Sequence, residues 1–397
     1  MLFVGGGRWQ QSAIASAKNI GKKVAVIDAS PSKTTQKLAS KLISGDFNQI
    51  DGFWEEVRCI SEISHVLSFN SDVASICASE IRHRLGLPGN DFQTIKVLTN
   101  KKLQREIFDR VSGLTNPLWS CDVNHFCLQY PNKNKVLKKQ ESAGSRDVFF
   151  FKNFEDLNFV EHANFFGQPI DWLVEQYFYG KEHTVEGCVI DGNVNIFEIF
   201  EKRKLTGSLK VSDQLISANL NCENEKKLLR ILRQFFSFLP EFAGLFHFEF
   251  IFDCTENIMP VEIAGRGAGF GVIDELVSKI IGVDLSLLDL YLQLGNVSDA
   301  NALMKSSPVV KKCGGVRYLT PSHYKFKIED RKKIESLIKK NVKIEVFWQN
   351  NNAGIQNKDT DSDRVAKIIV IGNEREEVLA RLDEVEIELK SMSVFSV

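Results

Sequence analysis

The sequence predicts an α/β protein in three parts: a doubly wound first domain, an α+β core and an α/β C-terminal domain. Three patterns carry that prediction. Short apolar strands alternate with amphipathic stretches over residues 1–95, longer strands broken by tight turns run through 96–300, and strand and helix patterns alternate again over 301–397. At 397 residues the chain also exceeds what one core usually fills.

In the first domain, residues 2–4 and 24–27 read as strands around the amphipathic segment Gln10–Ile20, with Gly21 where a helix should stop. Gly5-Gly6-Gly7 and Asp28 imitate a dinucleotide fingerprint, but the third glycine of G-x-G-x-x-G would fall at Gln10. The glycines are therefore expected to form a tight turn near some ligand other than a nicotinamide. His65–Phe69 is a further strand, and Asn70-Ser71-Asp72 opens a helical stretch to Leu85.

In the core, Lys101–Val111 reads as a basic amphipathic helix, and Lys135–Lys138 and Val148–Phe151 as strands around the polar loop QESAGSRD. Leu173–Tyr177 and His183–Val189 follow, and Asp191-Gly192 marks a two-residue hairpin turn into Val194–Phe200. Lys226–Leu239 is an amphipathic helix. Strands near Gly315–Tyr318, Val342–Phe347 and Ala366–Ile371 and a helix from Glu374 form the last part, expected to pack back onto the first.

Composition narrows the function classes. Fifty basic against fifty-one acidic residues leave a net charge of −1, so no global field attracts nucleic acid or anionic lipid. No apolar run approaches the ~18–20 residues of a membrane span, and the N-terminus reads as a buried strand rather than a leader. A cytoplasmic protein without nucleic-acid or membrane partners is the expectation. Eight cysteines without a C-x-x-C pair and seven histidines without H-x-x-x-H spacing argue against a zinc enzyme.

The most informative stretch is Leu245–Gly271. Phe246, Phe248, Phe250 and Phe252 alternate onto one face, which leaves His247, Glu249 and Ile251 on the other. A four-residue loop at Cys254–Asn257 would set Glu249 opposite Glu262 on that second face. Facing carboxylates destabilise a sheet, a cost that a divalent cation between them turns into binding or that one Glu at the sheet rim and one in water would avoid; Mg²⁺ is typically held by one or two carboxylates plus substrate phosphates. Arg266, set among glycines just beyond, can neutralise a phosphoryl group in transfer or else pair with a surface carboxylate. Lys138 precedes the small-residue loop Ser142-Ala143-Gly144-Ser145, closed by Arg146, which can wrap phosphate oxygens although it is not a P-loop. Glu175 and Glu182 flank an aromatic connector at Tyr177-Phe178, where carboxylates and backbone can read a ribose and an adenine edge. For Arg317, in the strand GGVRYL, a structural ion pair outweighs a substrate role.

The order of these features resembles the ATP-grasp superfamily, specifically its carboxylate–amine ligase branch. VLKKQESAGSRDV (136–148) resembles the strand and loop V-V-K-P…G-S-x-G-x-V, and VEQYFYGKE (174–182) the connector E-x-x-x-x-G-x-E. The segment 249–271 resembles the metal strand, and 363–378 the ending of such ligases. The resemblance implies a pre-ATP-grasp domain, an ATP-grasp core and a C-terminal domain. It implies that Lys101 and Lys138 contact ATP phosphates, that Ser142, Ala143, Gly144, Ser145 and Arg146 form a mobile loop over them, and that Glu175, Tyr177, Phe178, Glu182 and His183 hold adenosine. Glu249 and Glu262 would ligate Mg²⁺ or Mn²⁺, and Arg266 would stabilise an acyl phosphate, with Lys138 assisting. The implied reaction is ATP-dependent joining of a small carboxylate to an amine, amino acids among the candidates, with ADP and phosphate released; a homodimer is the assembly some relatives suggest. A bicarbonate-using carboxylase and a nucleotide-binding protein without turnover stand as alternatives. Three positions depart from the pattern: Lys139 for proline, Asp147 for glycine and Ala264 for an asparagine, the last as in some amino-acid ligases.

Overall fold

A computed structural model describes residues 1–144, 146–153, 171–306, 312–320, 331–338, 341–347 and 364–392. Ser145 and Asp363, named above, lie outside them. The first domain is a parallel sheet of β1 (Leu2–Val4), β2 (Ala25–Ile27), β3 (Lys41–Ile43) and β4 (Val66–Ser68), in the order β3-β2-β1-β4. Its helices begin and end where capping chemistry dictates. Ser71 Oγ accepts from the Ala74 amide to start the helix Asp72–Leu85, and Gly86, at φ 63°, ends it in the left-handed conformation that glycine adopts freely. Asp28 does not project as a ribose ligand would. Its carboxylate accepts from the Gly6 amide at 2.7 Å and closes the glycine turn on itself.

A small antiparallel sheet follows, formed by β5 (Trp119–Ser120), β6 (Lys135–Lys139), β7 (Val148–Phe151) and β8 (Trp172–Gln176), in the order β5-β8-β6-β7. The largest sheet holds β9 (Lys181–Ile190), β10 (Asn193–Lys204), β11 (Ser212–Ser217), β12 (Gly244–Phe252), β13 (Ile258–Ala264), β14 (Cys313–Leu319), β15 (Val342–Val346) and β16 (Ala366–Gly372). Its order is β13-β12-β9-β10-β11-β14-β16-β15, so hydrogen bonding runs unbroken past residue 300 and the C-terminal strands extend the core's own sheet. At one corner they also touch the first domain, where Arg8 pairs with Glu345 and Trp9 meets Phe347 edge-on at 5.7 Å.

The large sheet buries one face and opens the other. Phe246, Phe248 and Phe250 are fully buried against the helix Cys222–Ser237, whose Leu228, Ile231, Leu232, Phe235 and Phe236 recur at helical spacing. That helix starts four residues before the expected Lys226 because the Asn221 side chain caps it, accepting from the Asn224 amide. Asp191 and Gly192, at φ 49° and 70°, make the tight β9–β10 turn. Arg317 is fully buried and structural: Gln214 accepts from its Nε, while Asp383 and Glu386 hold its other end. Among the described residues no helix is long and apolar enough to cross a membrane.

Candidate active site

The β12–β13 hairpin sets two carboxylates face to face, by a longer route than a four-residue turn. Phe252 pairs with Ile258, so the loop has five residues, Asp253–Asn257, and Asp253 Oδ1 accepts from the Thr255 and Asn257 amides within it. That loop alone would shift the register by one and turn the carboxylates to opposite faces. A bulge at Val261 corrects it, pairing Phe250 with Pro260 but Glu249 with Glu262. β13 is an edge strand, where a proline removes no ladder bond and a bulge is readily accommodated. The Val261 carbonyl, freed from the ladder, accepts from Arg105 Nη2 at 2.8 Å.

Every carboxylate on this open face has a cation. Glu249 accepts from Lys202 Nζ at 2.9 Å and from His247 Nε2 at 3.0 Å, and Glu262 lies 3.2 Å from Lys101 Nζ. Glu182 pairs with Lys202 and Lys204, and Glu175 with Arg105 at 2.6 Å and Lys138 at 2.7 Å. Burial pushes the Glu175 and Glu249 carboxyls upward, but the adjacent cations outweigh it: Arg105 and Lys138 hold Glu175 below its ordinary range, and Lys202 and His247 hold Glu249 well below. The same balance raises His247 to about 10, since burial disfavours its charge while Glu186 and Glu249 favour it more strongly. Glu186, fully buried, also accepts from the Ala268 amide at 3.1 Å and so ties the glycine-rich loop to the carboxylate pair.

The loop after Lys138 shows why its departures are tolerated. Asp147 stands at φ 52°, a left-handed conformation suited to glycine but one that aspartate also adopts, and its carboxylate accepts from Ser142 Oγ at 3.1 Å. The Lys139 amide donates to the Asp147 carbonyl at 3.3 Å, a bond proline would forfeit. Arg146 Nε donates to the Ala143 carbonyl, and Lys101 Nζ donates to that of Ser142. Ala264 pairs in register with His247, so the polar neighbour of Glu249 on this face comes from β12 itself. In the connector the Tyr177 amide donates to Asn134, and Gly180 is demanded by contact: a Cβ there would lie 2.1 Å from the Phe252 carbonyl. Arg266 forks onto Asp72 at 2.6 and 2.8 Å, the carboxylate pairing allowed for above, with Asp72 raising its pKa despite burial.

These groups line one cleft of about 1100 Å³ between the small sheet, the large sheet and the first domain. Lys101, Lys138, Ser142, Ala143, Gly144, Arg146, Glu175, Tyr177, Phe178, Glu182, Glu249, Glu262 and Arg266 all face it. His183 does not. One residue on from Glu182, it points to the opposite face, buried and stacked on Phe250 with centroids 5.3 Å apart, so it is a core residue rather than a ribose contact. Strand periodicity in the sequence places His247 on the face of Glu249 without a role, and Arg105, Glu186 and Lys202 went unread. Two lysines two residues apart in the strand EKRK, on the face of Glu182, were the available signal for Lys202. Among the described residues no group of three or more His, Cys, Asp or Glu side chains is arranged to hold a metal. The two facing carboxylates fit a hard cation that takes its remaining oxygens from phosphate and water.

Residues 133–274 match the family model of the ATP-grasp domain. That match falls within the central part of the chain, and over the full length the fold is similar to that of several solved structures. Among solved structures, the L-amino acid ligase of Bacillus licheniformis aligns over 100% of this chain and 98% of its own, with a TM-score of 0.80 and 17% identity. The phosphoribosylglycinamide synthetase of Anaerococcus prevotii aligns over 98% and 97%, with 0.73 and 15%. An N5-carboxyaminoimidazole ribonucleotide synthetase in complex with ADP aligns over 98% and 96%, with 0.73 and 13%. No curated protein sequence matches the chain.

Proposed function

We propose that this protein is an ATP-dependent ligase that joins a small carboxylate to an amine through an acyl phosphate, with amino acids as the substrate class. The observation that carries the reading is the facing pair Glu249 and Glu262, each held by a lysine that a phosphate chain can take over. Glu249 and Glu262 would hold Mg²⁺ or Mn²⁺, which neutralises charge on the nucleotide's phosphates. Lys101 and Lys138 would bind phosphate oxygens, and the loop 142–146 would cover them. Glu175, Glu182 and the backbone of Tyr177-Phe178 would orient adenosine.

With both substrates aligned, an oxygen of the acid attacks the γ-phosphorus and ADP leaves with the electron pair of the broken bond. The amine nitrogen then attacks the acyl carbon, phosphate departs, and the nitrogen loses a proton. Arg266 would neutralise the acyl phosphate, and no protein nucleophile is required. The protein's contribution is alignment and charge neutralisation. ADP release with Mg²⁺ and pooled amino acids, followed by mass analysis, should reveal an amide product. Glu262→Ala should lower turnover by orders of magnitude. Full turnover in that variant, or ADP release that needs bicarbonate and no organic acid, would refute the reading.

A further inference from the structure

Three loops meet at the end of the cleft nearest the first domain. In the order β3-β2-β1-β4 the chain runs from β1 to β2 on one side while β4 lies on the other, so a crevice opens beyond the carboxyl ends of β1 and β4. Open parallel sheets bind ligands at such switch points. The loop after β1 carries Trp9 and the loop after β4 carries Asn70, and Gln10 ties them by donating to the Phe69 carbonyl at 3.0 Å. The glycine-rich loop is drawn to the same place by the fork of Arg266 on Asp72. Trp9, Asn70, Phe270 and Tyr318 all line the cleft.

Two features of this crevice carry a local cost in the folded chain. Asn70 sits at φ 55°, and both its amide atoms are buried with no hydrogen-bond partner among the described residues. Such a group is costly unless something binds it. Phe270 sits at φ 54°, a conformation a bulky residue keeps only under constraint from its surroundings. Its ring is gripped between Trp9 at 5.3 Å and Tyr318 at 6.2 Å, and its carbonyl accepts from the buried Lys367 at 3.2 Å. Three packed aromatic rings and a buried amide with no partner among the described residues thus line the same cleft. The charges nearby are engaged with one another or with the rings: Asp72 with Arg266, Lys367 with Glu275 and Glu345 and 4.7 Å over the Trp9 ring, and Arg364 over the Phe270 and Tyr318 rings with its Nη2 on the Ser212 carbonyl.

We propose that the crevice binds the acid substrate as an α-amino acid with a bulky apolar side chain. The rings of Trp9, Phe270 and Tyr318 pack that side chain. Asn70 meets the zwitterion, its Oδ1 accepting from the ammonium and its Nδ2 donating to the carboxylate, a pairing that a simple acid would use only by half. The carboxylate is thereby turned toward Arg266. This inference rests on the ligase reading, and a binding measurement separates the two.

The test is calorimetric titration of the protein, loaded with ADP and Mg²⁺, with L-phenylalanine, L-leucine, glycine and L-glutamate. Phenylalanine and leucine should bind about tenfold or more tightly than glycine and glutamate, the discrimination an apolar pocket supplies. Trp9→Ala and Asn70→Ala should each lose about tenfold in phenylalanine affinity while binding ADP as the parent does, which also shows that they fold. Equal affinity for all four amino acids, no binding of phenylalanine or leucine, or unchanged phenylalanine affinity in both variants would overturn the proposal. If the preferred amino acids bind but no amine yields a product, the ligase reading fails while the binding site stands.

Discussion

The two ends of the cleft are built on opposite principles. At the connector end, three carboxylates are already neutralised: Glu175 by Arg105 and Lys138, Glu249 by Lys202 and His247, Glu262 by Lys101. At the switch-point end, the surface is aromatic, its charges pair with one another or lie over the rings, and a buried amide lacks a partner among the described residues. The first design suits a ligand that brings its own charges, because lysines can pass to an anionic group as carboxylates pass to a cation, and the count of paired charges is kept. The second suits a ligand chosen by shape. Electrostatic partners can be exchanged at small net cost, whereas a packed wall with strained backbone must be held in place beforehand.

Breaking the charged end should have the largest effect. Glu175→Gln leaves Arg105 and Lys138 buried without their carboxylate, and loss of one partner from such a network destabilises by about 3–5 kcal/mol. Urea unfolding should show that loss, and ADP affinity should fall with it. A stability within 1 kcal/mol of the parent, roughly the worth of an exposed pair, would mean that the cluster is open to water.

Asp72→Asn sharpens the comparison from the other side. It keeps the helix start but removes the charge that forks Arg266, so turnover should drop by roughly 10–100-fold, the scale of a charge-assisted hydrogen bond, with ADP affinity unchanged. If ADP binding weakens as well, the two ends are not separable.

The smallest effect concerns the support beneath β4. Asp289 accepts from the Leu245 amide at 3.3 Å and from Gln293 at 2.7 Å, and Gln293 in turn holds Ser68. Burial pushes its carboxyl up to about 7 from an ordinary 3.8. The folded state then holds a proton that the unfolded state has released, so this group's contribution to stability falls as pH rises from about 4 to about 7 and is level above. Melting temperature followed across that window should lose this slope in Asp289→Asn, and an unaltered slope would remove Asp289 from the account.

Much of this was legible in residues read singly or in pairs. The alternating phenylalanines of β12 located the face carrying Glu249, and Asn221 was an unread cap whose recognition would have moved its helix four residues earlier. Glu249 and Glu262 do face each other, yet the expected turn was one residue short and the bulge at Val261 restored the register. His183 was grouped with Glu182 through proximity in sequence, although a strand sends neighbours to opposite faces. β3 and β11 are short and carry weak alternation, and both escaped notice.

By itself the sequence determined periodicity, caps, turns and the identity of the charged groups, because each depends on a few adjacent residues and the fixed geometry of helix or strand. Only the tertiary structure decided which charges meet. Lys202 reaches Glu249 from β10 across β9, Asp72 reaches Arg266 from another domain, and the C-terminal strands join the core's sheet. Those pairings join groups far apart along the chain, and the cost or gain of a buried charge is set by the partner that packing brings to it.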